Sequence, residues 1–102
     1  MATVSYPYRY QYETVAASQT DQVMGGTGAT GDYLHRIIIA VNTAATSTCS
    51  IKDGSGSAIV IMAANTAIGT YSVELDMRSN AGAWSVTTGA GVTAVGVGIF
   101  SA

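Results

Sequence analysis

The fold class of this 102-residue chain is decided by the stretch Tyr71-Ser72-Val73-Glu74-Leu75-Asp76-Met77-Arg78. Every second residue in it is large and apolar, and the residues between them are polar or charged. Successive side chains of an extended strand point to opposite sides, so this alternation is typical of a strand with one buried and one solvated face. The stretch therefore predicts a half-buried β-strand.

Short apolar runs on both sides of this strand are separated by turn signals. Asp53-Gly54-Ser55-Gly56 lies between two such runs and predicts a hairpin. Lys, Arg and Glu are scarce, so the good surface helix formers are missing. The predicted strands cover residues 15–24, 33–41, 46–52, 57–62, 71–78, 84–88 and 92–100.

Strands at this even spacing predict an all-β protein with a single antiparallel β-sandwich domain. A jelly-roll-like arrangement is the first expectation and an immunoglobulin-like sandwich the second. A true immunoglobulin domain needs a Cys–Trp–Cys framework, and this chain has one Cys.

Strict alternation predicts which residues share a face in two of these strands. In the strand at 33–41, one face receives Tyr33, His35, Ile37, Ile39 and Val41, and the other receives Leu34, Arg36, Ile38 and Ala40. In the last strand, Val95, Val97 and Ile99 point one way. Gly96 and Gly98 then line the opposite face, where the backbone of a partner can approach closely.

Residues 1–14 form a distinct segment, predicted to be an extended N-terminal arm or edge strand before a body at residues 15–102. At period two, its four Tyr rings share one face of an extended chain. Exposed contiguous aromatic surface usually marks a partner site, although the arm can also fold back on its own domain. The predicted partner-binding residues are Tyr6, Tyr8, Arg9, Tyr10 and Tyr12.

Composition excludes several classes of function. The net charge is −2, and charged residues make up 10%, against roughly 25% in ordinary globular domains. A nucleic-acid-binding protein usually has a basic face, so we predict no nucleic-acid partner. The apolar runs are too short to span a membrane, and the N-terminus lacks the pattern of a secretory signal. We therefore expect no membrane association, and folding in a cytoplasm.

The candidates for enzyme chemistry each have a simpler structural explanation. Gly26-Thr27-Gly28-Ala29-Thr30-Gly31 matches G-x-G-x-x-G, but it precedes a predicted strand instead of the helix that a dinucleotide site needs. His35 and Asp32 fall on opposite faces of an extended chain and cannot pair directly. Cys49 has the features of a buried inert thiol.

Two other groups are also read as structural. Glu74 and Asp76 share a face, so a glycosidase-like pair is conceivable, but on an exposed strand face they are more simply a solubilising pair. Asp53 with its neighbouring serines is explained by a hairpin turn better than by calcium binding. We predict no catalytic residue, no metal site and no cofactor.

The body, from Val15 onward, resembles small β-rich virion proteins encoded by tailed phages. The residues that carry the resemblance are Gly28-Ala29-Thr30-Gly31-Asp32-Tyr33-Leu34, Ile51-Lys52-Asp53-Gly54-Ser55-Gly56 and Gly82-Ala83-Trp84-Ser85-Val86. The resemblance implies a head decoration, or cement, protein: a compact β domain, often trimeric, that sits on the capsid and clamps neighbouring shell subunits. It implies no catalytic residues.

These observations predict a non-enzymatic phage structural protein that binds the major capsid protein on the outer head shell. A homo-oligomer is expected, with a trimer favoured by the resemblance. The alternative is a carbohydrate- or receptor-binding β-sandwich module of a phage fibre or tail, in which Trp84 and Tyr side chains stack on sugars. A small hydrolase is disfavoured, because the polar constellation it needs is missing.

Overall fold

The structure, a computed structural model, describes residues 10–44 and 47–101. These residues form eight β-strands, and none of them lies in a helix long and apolar enough to cross a membrane. The strands are β1 (Gln11–Val15), β2 (Gln22–Val23), β3 (Tyr33–Val41), β4 (Cys49–Asp53), β5 (Ile59–Met62), β6 (Gly69–Arg78), β7 (Trp84–Thr87) and β8 (Val92–Ile99).

The strands form two antiparallel sheets of four strands. The first sheet has the order β1-β8-β3-β6 and the second has the order β2-β7-β4-β5. One hydrophobic core draws buried side chains from both sheets, so the sheets face each other in a sandwich-like arrangement. The all-β antiparallel prediction is confirmed at this level.

The core is built from the apolar faces that alternation predicts. On β6, the strand that decided the fold class, exposed and half-buried residues alternate along all ten positions. Trp84 is 2% exposed and belongs to the core. The fully buried side chains are Val15, Met24, Leu34, Ile37, Ile39, Val41, Cys49, Ile51, Val86 and Val92.

The strand predicted at residues 15–24 is wrong. Val15 ends β1, and only Gln22 and Val23 pair as a strand after it. Between them, Ser18 and Asp21 adopt positive φ values of 59° and 50°. That left-handed conformation breaks an extended chain, so this part of the chain turns from the first sheet to the second.

The face assignment predicted for β3 is wrong at its start, because a β-bulge shifts the alternation. Against β8, Leu34 pairs with Gly98 and Arg36 pairs with Val97, so β3 has one residue more than β8 at this point. Leu34 and Ile37 are both fully buried although they are three residues apart. His35 is therefore not on the same face as Ile37, and it lies on the outer face of the first sheet.

On β8, Val95, Val97 and Ile99 do share one face and the two glycines the other, but the glycine face points into the core and not towards a partner. Gly96 is buried, and a Cβ added to it would collide with the Sδ of Met24, a core residue. A Cβ on Gly98 would lie 2.9 Å from Cζ of the Phe100 ring. The glycines thus face the core and make room for Met24 and Phe100. They offer no surface to a partner. The outer face of β8 carries Val95, Val97 and Ile99 instead.

The predicted arm is described only from Tyr10 onward. Gln11–Thr14 belong to β1, an edge strand of the first sheet that pairs antiparallel with β8. This agrees with the edge-strand form of the prediction. Tyr6, Tyr8 and Arg9 lie outside the described residues.

Candidate partner-binding face

The β1–β8 half of the outer face of the first sheet carries a tyrosine patch, which we define as Tyr10, Tyr12, Val97 and Ile99. Tyr12 is directly opposite Val97 on β8. Tyr12 is 73% exposed, Ile99 47% and Tyr10 36%. A contiguous group of exposed apolar side chains is a candidate contact surface.

Uncharged residues continue the face away from this patch. The next cross-strand row is Thr14, Val95, Ile38 and Ser72. The charged side chains on the outer face lie on β3 and β6, where Arg36 pairs with Glu74. The face therefore has an apolar half on β1 and β8 and a polar half near the start of β3.

Between the two halves, four side chains form a clasp, defined as Tyr10, Tyr33, His35 and Asp76. The ring of Tyr10 stacks on the imidazole of His35, with centroids 4.3 Å apart and planes tilted by 12°. Nδ1 of His35 lies 2.7 Å from Oδ1 of Asp76. The hydroxyl of Tyr33 donates to the same carboxylate oxygen at 2.6 Å.

The hydrogen bonds of the clasp shift the pKa values of Asp76 and Tyr33. The hydrogen bonds from Tyr33 and His35 hold the pKa of Asp76 below its usual value, so the carboxylate is ionised. The same bond to Asp76 raises the pKa of Tyr33 to about 12. Because an ionised carboxylate only accepts hydrogen bonds, Nδ1 of His35 must carry the proton that it donates to Asp76.

The backbone at Asp76 is unusual. Its φ is 49°, in the left-handed region that most side chains avoid. Asp tolerates this region better than bulkier residues do. The conformation coincides with the register shift between β3 and β6, where β6 has one residue more than β3. Thus the bulge and the left-handed residue together bring the Asp76 carboxylate to His35.

Sequence reasoning missed the clasp. It weighed Asp32 as the partner of His35, but the Asp32 carboxylate accepts hydrogen bonds from Ser101 and Ala29 instead. It placed Asp76 only as a solubilising charge. The exposed alternation of β6 did show that Asp76 points outward, but no local signal reveals which β3 residue lies opposite it.

The other candidates for chemistry have structural roles. Cys49 is fully buried, and burial raises the pKa of its thiol to about 11. The Asp53 carboxylate accepts hydrogen bonds from the backbone N–H groups of Asn80, Ala81 and Gly82, at 2.8, 3.0 and 3.3 Å. Asp53 therefore fixes the turn before β7. The glycine-rich loop leads into β3, a strand, as predicted.

An open pocket of about 480 Å³ lies beside the tyrosine patch. Its lining includes Tyr12, Glu13 and Phe100. The Glu13 carboxylate is engaged, since it accepts hydrogen bonds from the backbone N–H of Gly25 at 2.8 Å and from Nε2 of Gln22 at 2.9 Å. Among the described residues, no three His, Cys, Asp or Glu side chains are grouped so that they can hold a metal ion.

Comparison of the chain with protein-family models, with curated proteins and with solved structures finds no match in any of the three.

Proposed function

We propose that this chain is a non-enzymatic structural protein of a tailed-phage virion that decorates the capsid. In this proposal it binds the outer head shell, contacts the major capsid protein and stabilises the contacts between shell subunits. The observation that carries the proposal is the tyrosine patch. Tyr12 and Ile99 present exposed apolar surface on a strand pair, which suits attachment to another protein more than catalysis.

The strand order supports the finer expectation of a jelly roll. Four of the strand pairs are β1 with β8, β2 with β7, β3 with β6 and β4 with β5. These pairs are what results when one long eight-stranded hairpin rolls into two sheets. Jelly rolls are common in viral capsid proteins and in lectins. Because a fold does not fix a function, this point supports the proposal only by analogy.

The oligomeric state in this proposal is a trimer, from the resemblance. The glycine surface once expected to support it is turned into the core, so the low charge of the exterior is the remaining physical support. Attachment at several points would multiply weak contacts into avidity. Sedimentation of the purified chain as a monomer at micromolar concentration would count against this part of the proposal.

The test is co-sedimentation with undecorated heads of the phage whose genome encodes the chain. Tyr12 and Ile99 are both changed to Ser in one variant, which strips the patch without touching the core. The matched control is the double change Ile59→Ser and Val60→Ser. It removes two comparably exposed apolar side chains, 44% and 58% exposed, from the second sheet.

We expect the patch variant to bind at least about tenfold more weakly, as is usual when central apolar contacts are lost. The control variant should attach like the unaltered chain. Circular dichroism checks whether both variants are folded. Equal attachment of all three proteins would remove the patch from the proposal, and failure of the unaltered chain to bind heads would overturn the function itself.

The exposure of Tyr12 also favours a second candidate, the carbohydrate- or receptor-binding module. Trp84 cannot serve it, because its ring is buried and its Nε1 donates to the Asp32 carbonyl oxygen. Tyr12 is free of that restriction. Saturation-transfer NMR with a panel of glycans tests this candidate, and transfer that disappears in Tyr12→Ser would favour it over shell binding.

A further inference from the structure

The clasp holds the first described residue of the chain against a titratable group. Tyr10 comes immediately before β1, yet its ring contacts His35 on β3, two strands away in the sheet. His35 is the single histidine of the chain. Histidine is the side chain whose charge changes between about pH 5 and 8. The ring of Tyr10 therefore packs against an ionisable side chain.

Two carboxylates lie against the imidazole of His35. Nδ1 of His35 contacts Asp76, and Nε2 lies 4.0 Å from Oε2 of Glu74. Protonation adds an N–H group at Nε2 and a positive charge that faces both carboxylates. A cation also binds the face of a stacked Tyr ring better than a neutral ring does.

The other elements packed against His35 contribute cationic, neutral and apolar neighbours. Arg36 lies 3.7 Å from Oε1 of Glu74 and competes for that carboxylate. Arg78 is opposite Tyr33 across the strands. Tyr33 stays neutral, since its pKa is about 12. On β8 the facing residues are Val97 and Ile99, which carry no charge. The Asp76 and Glu74 carboxylates thus lie 2.7 and 4.0 Å from the two imidazole nitrogens.

We infer that His35 is a proton-sensitive latch that holds Tyr10 against the first sheet. Protonation of the imidazole tightens the latch, and deprotonation loosens it. The latch rests on the proposed function in one respect. Because Tyr10 belongs to the tyrosine patch, the latch would make partner binding through the patch stronger in mild acid than in mild alkali.

The first measurement needs no partner. The His35 ring protons give unambiguous NMR signals, and stacking on Tyr10 shifts them upfield. Hydrogen exchange of the β1 amides, expressed as protection factors, reports how firmly the chain next to Tyr10 is held. Both are followed from pH 5 to pH 8 in the unaltered chain and in His35→Asn, Glu74→Gln and Tyr10→Leu. Asp21→Asn is the matched control, since Asp21 pairs with Lys52 on the other sheet.

We expect β1 protection to be roughly two- to fivefold higher at pH 5 than at pH 8, as suits partly exposed ion pairs. The pH dependence of β1 protection should vanish in His35→Asn, shrink in Glu74→Gln and persist in Asp21→Asn. Tyr10→Leu should abolish the upfield shift. The latch is wrong if His35→Asn keeps the full dependence, or if the His35 signals are unchanged in Tyr10→Leu.

Head co-sedimentation at the two pH values then tests the link to function. If the NMR results are as expected and attachment is also stronger at pH 5, both ideas are supported. If the NMR results are as expected but the unaltered chain binds no heads at either pH, the latch stands and the decoration function fails.

Discussion

Nε1 of Trp84 donates a hydrogen bond of 2.9 Å to the carbonyl oxygen of Asp32. This bond ties β7 of the second sheet to the residue before β3 of the first. The backbone N–H of Ser79 donates to the same oxygen, also at 2.9 Å. On its other side, Asp32 binds the chain that follows β8, through two hydrogen bonds from Ser101. Asp32 thus joins three separate parts of the fold.

The first prediction is that Asp32→Asn destabilises the fold. An amide has one oxygen where the carboxylate has two, so it cannot accept from Ser101 N, Ser101 Oγ and Ala29 N together. The loss should be about 1–3 kcal/mol in the free energy of unfolding, measured by urea denaturation. Asp21→Asn, which removes an exposed carboxylate, should change it by less than about 0.5 kcal/mol. If both variants lose the same free energy of unfolding, the hydrogen bonds of Asp32 do not contribute more to stability than an exposed carboxylate does.

Asp32 also predicts an acid dependence of stability. Burial acts to raise its pKa, but the hydrogen bonds from Ser101 and Ala29 outweigh burial, and the net pKa is lower than the ordinary 3.8. Its contribution is therefore complete above pH 3.8 and is lost as the pH falls through the folded-state pKa. Urea unfolding between pH 2 and pH 5 should show a steeper decline in the unaltered chain than in Asp32→Asn. Parallel curves would contradict this.

Cys49 should react slowly with thiol reagents in the folded protein. It is fully buried, and with a pKa of about 11 its thiol is almost wholly protonated at neutral pH. Labelling with a maleimide should follow the unfolding rate and become fast in urea. Cys49→Ser should keep the fold and partner attachment, with some loss of stability from burying a hydroxyl. Loss of function in a folded Cys49→Ser protein would overturn the inert role.

Gly96→Ala should be destabilising by about 1–3 kcal/mol, because the new Cβ has to displace Met24 in a close-packed core. The double change Gly96→Ala with Met24→Ala tests the cause. If Met24 is the obstacle, the penalty of Gly96→Ala becomes much smaller in the Met24→Ala background. An unchanged penalty would point to the strand backbone instead. Thermal unfolding of the unaltered chain, the two single variants and the double variant gives the four free energies of this double-mutant cycle.

Val60→Lys should make the protein less prone to aggregate. β5 is an edge strand of the second sheet, Val60 is 58% exposed, and no charged residue occurs between Asp53 and Glu74. Natural edge strands are usually protected by charges of this kind. Light scattering near the unfolding midpoint should fall in Val60→Lys. The control is Thr70→Lys, on the edge strand β6, which already carries charges. It should leave the light scattering unchanged.

The elements that sequence predicts well are those whose pattern depends on one strand alone. On β6, period-two alternation identified both the strand and its two faces. The hairpin at Asp53-Gly54-Ser55-Gly56 was predicted from local turn chemistry, and β4 and β5 do pair on either side of it.

What sequence could not predict depends on neighbouring strands. The bulge in β3 interrupts its alternation where no Gly or Pro marks the change. The inward direction of Gly96 follows from Met24, a distant residue that fills the space above it. Likewise, the His35–Asp76 contact is set by the register of two strands, 41 residues apart in the chain. Of the predicted partner residues, the structure places Tyr10 and Tyr12 on one outer face.

The pairing of β1 with β8 has a consequence for the order of assembly. The β4–β5 hairpin is local, whereas β1 and β8 come from opposite ends of the described chain and close the longest loop. Long-range pairings of this kind form slowly, because the entropy of loop closure is lost before the contacts are gained. Tyr12 meets Val97 only when β8 has left the ribosome. A growing chain therefore has no assembled tyrosine patch until β8 has been synthesised.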